Sequence, residues 1–256
     1  MKNLQNYLAL CPEYAEKQGV ISDIHPEDFI FKFLIENPVF EIPEHAVNYY
    51  FSDGRSSAQK LSDITQNIGG IIDKPFTLLE FASGYGCVTR HFANVLPEAT
   101  VTSCDIHPAA MDFIAKKIGV QTILSSSIPE QLSISSKYDV VFALSFFSHM
   151  PRKTWTRWLN SLLSRVKSGG FLIFTTHGFM SLPHLGNPRI DQDGFWFSAR
   201  SEQKDLDKNE YGLTVTNPPF VFQQINYRES RMVFFQEKYW WDHQDLYVIK
   251  AQPFPR

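Results

Sequence analysis

Between residues 76 and 176 short apolar runs alternate with amphipathic segments. The apolar runs at 76–81, 100–105, 121–124, 138–144 and 170–176 predict strands, and the 3.6-residue patterns at 88–96, 109–118 and 153–166 predict helices. Strands alternating with helices imply parallel βαβ units, right-handed crossovers and a ligand at the carboxyl ends of the strands. Upstream the pattern is helical. Apolar residues recur at Phe29, Ile30, Phe33 and Leu34 until Pro38 stops them, and a second run from near Ser56 carries Leu61, Ile64 and Ile68 to Gly69-Gly70. After Gly178 some thirty residues rich in Pro, Gly and aromatics lack periodicity, which predicts a lid or a mobile insertion. The chain closes with a predicted helix at 218–227 and strands at 231–236 and 246–250. Their tight connection makes a hairpin, so one of the two runs antiparallel to the rest of the sheet.

Composition narrows the class. With 256 residues, 43% hydrophobic and 20% charged, the chain is globular and large enough to hold a core without disulfides or metal. Its 24 basic and 27 acidic residues give a net charge of -3, no footprint for gripping a nucleic-acid backbone. Cys11, Cys87 and Cys104 form no C-x-x-C pair, which reads as reduced thiols. No run reaches the ~18 apolar residues of a membrane span, and the first residues lack a secretory apolar stretch. A soluble cytoplasmic protein without nucleic-acid partners is expected.

The informative stretch runs from Leu78 to Gly86, LLEFASGYG, a strand entering a glycine turn ahead of a helix. Gly84 and Gly86 permit positive φ and close ligand approach, and the helix aims its first amides at that ligand. A G-x-G turn alone fits NAD, FAD or nothing. Two features sharpen it: Glu80 ends the strand where a pyrophosphate meets an unwelcome charge, and Ala82 replaces the first glycine of the dinucleotide fingerprint. Asp105 ends the second strand, where a carboxylate can accept both hydrogens of a ribose diol, and Ile106 follows it, suited to lie against an adenine. The competing reading is a solvent-facing Asp105 capping the helix at Pro108.

With Glu80–Gly86 and Asp105 the chain resembles class I S-adenosylmethionine-dependent methyltransferases over roughly residues 76–250. Residues 143–150 (ALSFFSHM), 169–178 (GGFLIFTTHG) and 243–248 (HQDLYV) further resemble bacterial members found with glycosyltransferases in surface-glycan pathways. The resemblance implies a Rossmann-like three-layer αβα sandwich with a seven-stranded, mostly parallel sheet and an antiparallel last strand. It implies S-adenosylmethionine as cofactor, S-adenosylhomocysteine as product, and a small-molecule or glycan-related acceptor, with a glycosyltransferase as possible partner. Glu80, Ala82, Gly84, Gly86, Asp105, Ile106 and Ser145 fall on donor-binding positions. Where many members carry Asp after the third strand this chain has Ser125-Ser126-Ser127, leaving Ser126 or Ser127 to meet the adenine amino group. Three parts follow: an N-terminal helical extension or lid at 1–74, a methyltransferase domain at 75–256, and within it an insertion at 178–212 over the active-site cleft.

Methyl transfer to a hydroxyl needs alignment, exclusion of water and a group to take the proton. His149 just past the fourth strand and His177 just past the fifth are the candidates, at adjacent carboxyl ends in this topology. Either can instead serve its turn. His177 with His184 as metal ligands lacks a third partner at convincing spacing, so no metal is expected. Asn217-Pro218-Pro219-Phe220 imitates the tetrapeptide of amino-methylating enzymes, but the 36 residues after Phe220 cannot supply a permuted domain; Asn217 reads as a helix N-cap. Phe195-Trp196-Phe197 with Arg200 suits stacking on a sugar or packing of the insertion, and Arg55 suits a carboxylate or solvent. The leading reading is a methyltransferase acting on oxygen. The alternatives are a non-catalytic methyltransferase-like module partnering a glycosyltransferase and, disfavoured by Glu80 and Ala82, a nicotinamide-linked oxidoreductase.

Overall fold

The computed structural model describes residues 4–69, 74–201 and 203–252. The chain divides into two compact units, Met1–Leu124 and Ser125–Arg256, a cut different from the 74/75 boundary suggested by the change of pattern.

The first unit opens with α1 (Leu4–Leu8), α2 (Cys11–Gln18), α3 (Phe29–Glu36) and α4 (Pro43–Gly69). Asp28 starts α3 by accepting the Phe31 amide hydrogen at 3.0 Å, and this sets the buried face to Phe31, Leu34 and Ile35. Ile30 and Phe33, apolar in the sequence pattern, lie exposed. The long α4 begins thirteen residues before Ser56, because Pro43 at its first turn costs no hydrogen bond. Of the predicted Gly69-Gly70 stop, Gly70 lies outside the described residues. β1 (Phe76–Phe81) follows, then a 3₁₀ turn at Thr89–His91 and the single turn α5 (Phe92–Val95), where one continuous helix was predicted. β2 (Ala99–Asp105), α6 (Pro108–Phe113) and β3 (Gln121–Leu124) complete the unit, with a π-helical turn at Ile114–Ile118 after α6. β1 pairs with β2 and β2 with β3, all parallel.

The second unit holds β4 (Tyr138–Ala143), α7 (Arg152–Leu163) and β5 (Val166–His177), then β6 (Phe195–Ser198), β7 (Leu213–Thr216), α8 (Pro218–Gln223), β8 (Ser230–Trp240) and β9 (Gln244–Ala251). β4 and β5 are parallel, while β9 runs antiparallel to both β5 and β8. The seven strands hydrogen-bond in the order β3-β2-β1-β4-β5-β9-β8, the mostly parallel sheet with a reversed strand that was expected. The aperiodic segment after Gly178 is more ordered than its pattern suggested: β6 and β7 form a separate antiparallel pair. Each of these strands has only four residues, too few for a period to register. Phe195 packs against Phe220 with tilted rings 4.9 Å apart and lies under the Arg152 guanidinium at 4.6 Å, so this aromatic packs the insertion. Asn217 caps α8, its side chain accepting the Phe220 amide hydrogen at 2.9 Å.

Gly178, directly after β5, has no room for a side chain: a Cβ would sit 2.0 Å from Asp245 Oδ2, and Asp245 is fully buried. Gly178→Ala is expected to cost roughly 1–3 kcal/mol by overpacking. Urea unfolding measures it; an unchanged midpoint contradicts this close fit.

Candidate functional site

In the first unit β1 ends in a turn whose backbone few residues tolerate. Ala82, Gly84 and Gly86 all have positive φ, at 61°, 54° and 81°. Ala82 therefore holds, at a cost of about 1–2 kcal/mol, a conformation that glycine adopts freely. The Ala82 and Ser83 amides both donate to the Cys104 carbonyl, at 2.7 and 3.3 Å, tying the turn to β2. Asp105 finishes that tie: its Oδ2 accepts the Gly84 amide hydrogen at 2.8 Å. Its Oδ1 accepts from the His107 amide at 3.0 Å and stands 2.7 Å from His107 Nδ1. Ile106 is half-buried beside it.

The two glycines differ. A Cβ on Gly86 would strike Ile118 Cδ1 at 2.4 Å, so that glycine permits the loop to pack on the helix. A Cβ on Gly84 would meet nothing within 4 Å, so that face of the loop is open to a ligand. Ser83 Oγ is buried without a hydrogen-bond partner, a polar atom in the same turn suited to a ligand group. An adenosyl ligand fits this set: an open glycine backbone, an unpartnered hydroxyl and a carboxylate at the end of β2.

Glu80 sits beneath the turn. It is buried, and its Oε2 accepts from Thr89 Oγ1 at 2.5 Å and Ser103 Oγ at 3.1 Å. Burial pushes its pKa up to about 7, against the lowering effect of the two hydroxyls and with a smaller raising effect from Asp105. Its charge is thus directed at the loop's own supports. Arg90 braces the turn from the other side: Nε donates to the Gly86 carbonyl at 3.1 Å, and Nη1 to the Ile21 and Asp23 carbonyls at 3.0 and 3.1 Å. Nη2 donates to Tyr50 Oη at 3.2 Å, which donates on to Asp28 at 2.7 Å. Tyr85, within the turn, stacks on His25 at 4.6 Å and donates to Glu27 Oε2 at 3.3 Å. Residues 21–28 are therefore strapped to the glycine turn, which the sequence pattern did not reveal.

In the second unit, the turn after β4 and the end of β5 carry the predicted histidines. His149 Nδ1 lies 2.8 Å from the Gly212 carbonyl and His177 Nδ1 lies 3.1 Å from the Thr214 carbonyl. A carbonyl can only accept, so each Nδ1 bears the proton and each Nε2 keeps its lone pair. The rings lie 6.2 Å apart, and Tyr211 stacks on His149 at 4.4 Å. Burial lowers His149 to about 4, the Gly212 carbonyl opposing. Burial, followed by repulsion from His149 and His243, lowers His177 to about 3. Both rings are neutral at pH 7. Ser145 holds a positive φ of 55° in the same turn, and its amide donates to Thr175 Oγ1 at 2.8 Å. Ser126 caps its own turn by accepting the Ile128 amide hydrogen at 3.0 Å, and Ser127 is exposed. Arg55 and Arg200 are exposed, Arg55 making a 3.4 Å contact with the Gln18 carbonyl. Among the described residues no group of three or more His, Cys, Asp or Glu is arranged to hold a metal ion, and no helix is long and apolar enough to cross a membrane.

Known proteins resemble this chain over the stretch that holds the glycine turn and the turn after β4. Residues 79–172, which include the glycine turn, Asp105 and the turn after β4, match the family described as a methyltransferase domain. The chain is 32% identical over 115 residues to the tRNA N(3)-methylcytidine methyltransferase trm141 of Schizosaccharomyces pombe, covering 41% of this chain and 46% of that protein. It is 24% identical over 193 residues to the malonyl-[acyl-carrier protein] O-methyltransferase of Halalkalibacterium halodurans, covering 70% of this chain and 66% of that protein. The chain thus spans between about half and two thirds of these two relatives. Among solved structures, SAM-bound CalS10, an amino pentose methyltransferase from Micromonospora echinaspora, superposes with a TM-score of 0.56 at 13% identity, covering 78% of this chain and 92% of that one. The fold is the Rossmann-like fold of class I methyltransferases.

The raised pKa of Glu80 has a measurable sign. Its neutral form is favoured on folding, so the wild type's advantage is complete below pH 4.5 and is lost as pH rises through about 7. Glu80→Gln does not titrate and keeps an acceptor oxygen. The variant's stability relative to wild type is expected to improve by on the order of 3 kcal/mol between about pH 4.5 and pH 8 in urea unfolding. A difference independent of pH contradicts a buried, reluctantly ionised Glu80.

Proposed function

We propose that the chain is an S-adenosylmethionine-dependent methyltransferase acting on a small-molecule or glycan-related acceptor at a hydroxyl oxygen. The observation that carries the donor assignment is the open side of the glycine turn, pinned by Asp105. Asp105 has lone pairs beyond those given to Gly84 and His107, and a ribose diol would take the position of the His107 ring. Ser83 and the backbone of Ala82, Gly84 and Gly86 would line the donor, with Ile106 against the adenine and Ser126 or Ser127 near its amino group. Glu80 would support the turn from beneath, and Ser145 would contribute from the turn after β4.

The donor supplies a methyl group on a positively charged sulfur; the protein's part is to align the acceptor and keep water out. His149 and His177 would accept hydrogen bonds from the acceptor hydroxyl through Nε2. With pKa values of about 4 and 3 they are weak bases, unsuited to stripping an alcohol before attack. An oxygen that has begun to bond to methyl becomes strongly acidic, and neutral imidazole then takes its proton readily. The segment at 178–212 would cover the acceptor, since the Gly212 carbonyl at its end and the Thr214 carbonyl just beyond orient both rings. Residues 1–74 would close the donor side through the strap on Arg90. A glycan-related acceptor, and partnership with a glycosyltransferase, draw support from the resemblance of residues 143–150, 169–178 and 243–248 to methyltransferases of surface-glycan pathways.

Calorimetric titration with S-adenosylhomocysteine tests the donor assignment. Wild type is expected to bind and Asp105→Ala to bind about 10- to 100-fold more weakly, the loss of charge-assisted hydrogen bonds. Equal affinities remove Asp105 from the site, and no binding by wild type removes the donor.

A further inference from the structure

The turn after β4 rests on buried polar groups that neither histidine accounts for. Thr175 and Gln244 come from neighbouring strands, and both are buried, as is Ser148. The Thr175 hydroxyl accepts the Ser145 amide hydrogen at 2.8 Å and donates to Gln244 Oε1 at 2.7 Å. Gln244 Nε2 donates to Ser145 Oγ at 2.8 Å. Ser145 Oγ lies 2.9 Å from Ser148 Oγ, which donates to the Ser145 carbonyl at 2.6 Å. With the Ser145 hydroxyl donating to Ser148, every hydroxyl hydrogen has one destination. Turning the Gln244 amide over would leave the Thr175 hydroxyl hydrogen facing an amide donor, so the orientation is determined. A side-chain network satisfied at each member fixes one conformation and makes any other costly.

What it fixes is strained. Ser145 sits in the left-handed region at φ 55°, which costs a residue with a Cβ about 1–2 kcal/mol. Such conformations persist where the surroundings over-determine them, and they cluster at functional sites. Four residues on, His149 donates its amide hydrogen to the Phe146 carbonyl at 3.1 Å, closing the turn that Ser145 begins. The opposite flank is held by residues 212–214 at the start of β7, through Thr214 N to the Ser148 carbonyl at 2.8 Å and Gly212 N to the His149 carbonyl at 2.9 Å.

We propose that Gln244 is a positioning residue of the acceptor site: it holds Ser145 in its left-handed turn and thereby sets the register in which His149 meets the Gly212 carbonyl. The proposal rests on the reading of His149 as an acceptor-side group. Gln244 is the register partner of His177 across β5 and β9, and its side-chain amide reaches His149 through Ser145 and Ser148. Loss of its amide frees Ser145 to relax, and the turn then carries His149 away from its carbonyl.

Nitrogen-15 NMR of histidine-labelled full-length protein tests this without donor or acceptor, so failure of donor binding leaves it standing. The His149 signal is assigned with a His149→Gln variant; the titratable groups beside the ring are His177 and Tyr211. Wild type is expected to show the Nδ1–H tautomer and a titration midpoint near 4. Gln244→Met preserves bulk and removes the amide, and Thr175→Val preserves shape and removes the hydroxyl. In each, the single tautomer is expected to be lost and the midpoint to fall below the wild-type value, because the Gly212 carbonyl no longer favours the protonated ring, with the native circular dichroism retained. A folded variant whose His149 tautomer and midpoint match wild type overturns the proposal. Unfolding of both variants also overturns it, because the network is then a requirement of the fold and not a device for His149.

Discussion

The Asp105 carboxylate takes the Gly84 amide hydrogen at 2.8 Å, and the shape of the glycine turn depends on that bond. A chain leaving a parallel strand must reverse toward its helix within a few residues, and here it does so with three residues at positive φ. Left alone such a segment samples many conformations. Held by Asp105 and the Cys104 carbonyl at the end of β2, braced by Arg90 and supported by Glu80, it has one. The carboxylate that would recognise a ribose is thus also the group that orders the backbone the ligand approaches. Binding then meets a turn already organised, which spares the ordering cost of association.

The turn after β4 repeats the same logic with other means. A non-glycine residue at positive φ, Ser145, is held by one hydroxyl from β5 and one amide from β9. The reversed strand β9 therefore does more than extend the sheet. Its opening residues Gln244 and Asp245 reach the Ser145 turn and the backbone of Gly178, and His243, just before the strand, lies 5.8 Å from the His177 ring. A parallel last strand would present its other end there. In both places local strain is accepted at a loop while the buried hydrogen bonds around it fix the geometry.

The sheet was legible because buried parallel strands read as near-continuous apolar runs, and 138–143 and 171–174 are such runs. Glu80, Gly84 and Asp105 stood out for their spacing, and Asn217 read correctly as a cap because proline follows it. The supports were not legible. Arg90, Thr89, Ser103, Thr175 and Gln244 are common residue types at no special spacing, brought in from elements up to 99 residues away, as Gln244 is from Ser145. Nor could a pattern show that burial would depress both histidines or that Glu80 would turn beneath its own loop. Periodicity reports which face of an element is apolar; it carries no information about which buried hydroxyl meets which amide.

Hydrogen–deuterium exchange at the Gly84 amide, followed by NMR, tests the pin most directly. If Asp105 organises the turn, that amide exchanges slowly in the unliganded protein, and Asp105→Ala speeds it by about tenfold or more, the equivalent of roughly 1.4 kcal/mol, while amides within β1 keep their protection. A Gly84 amide already exchanging freely in wild type, or one indifferent to the loss of Asp105, would contradict the account.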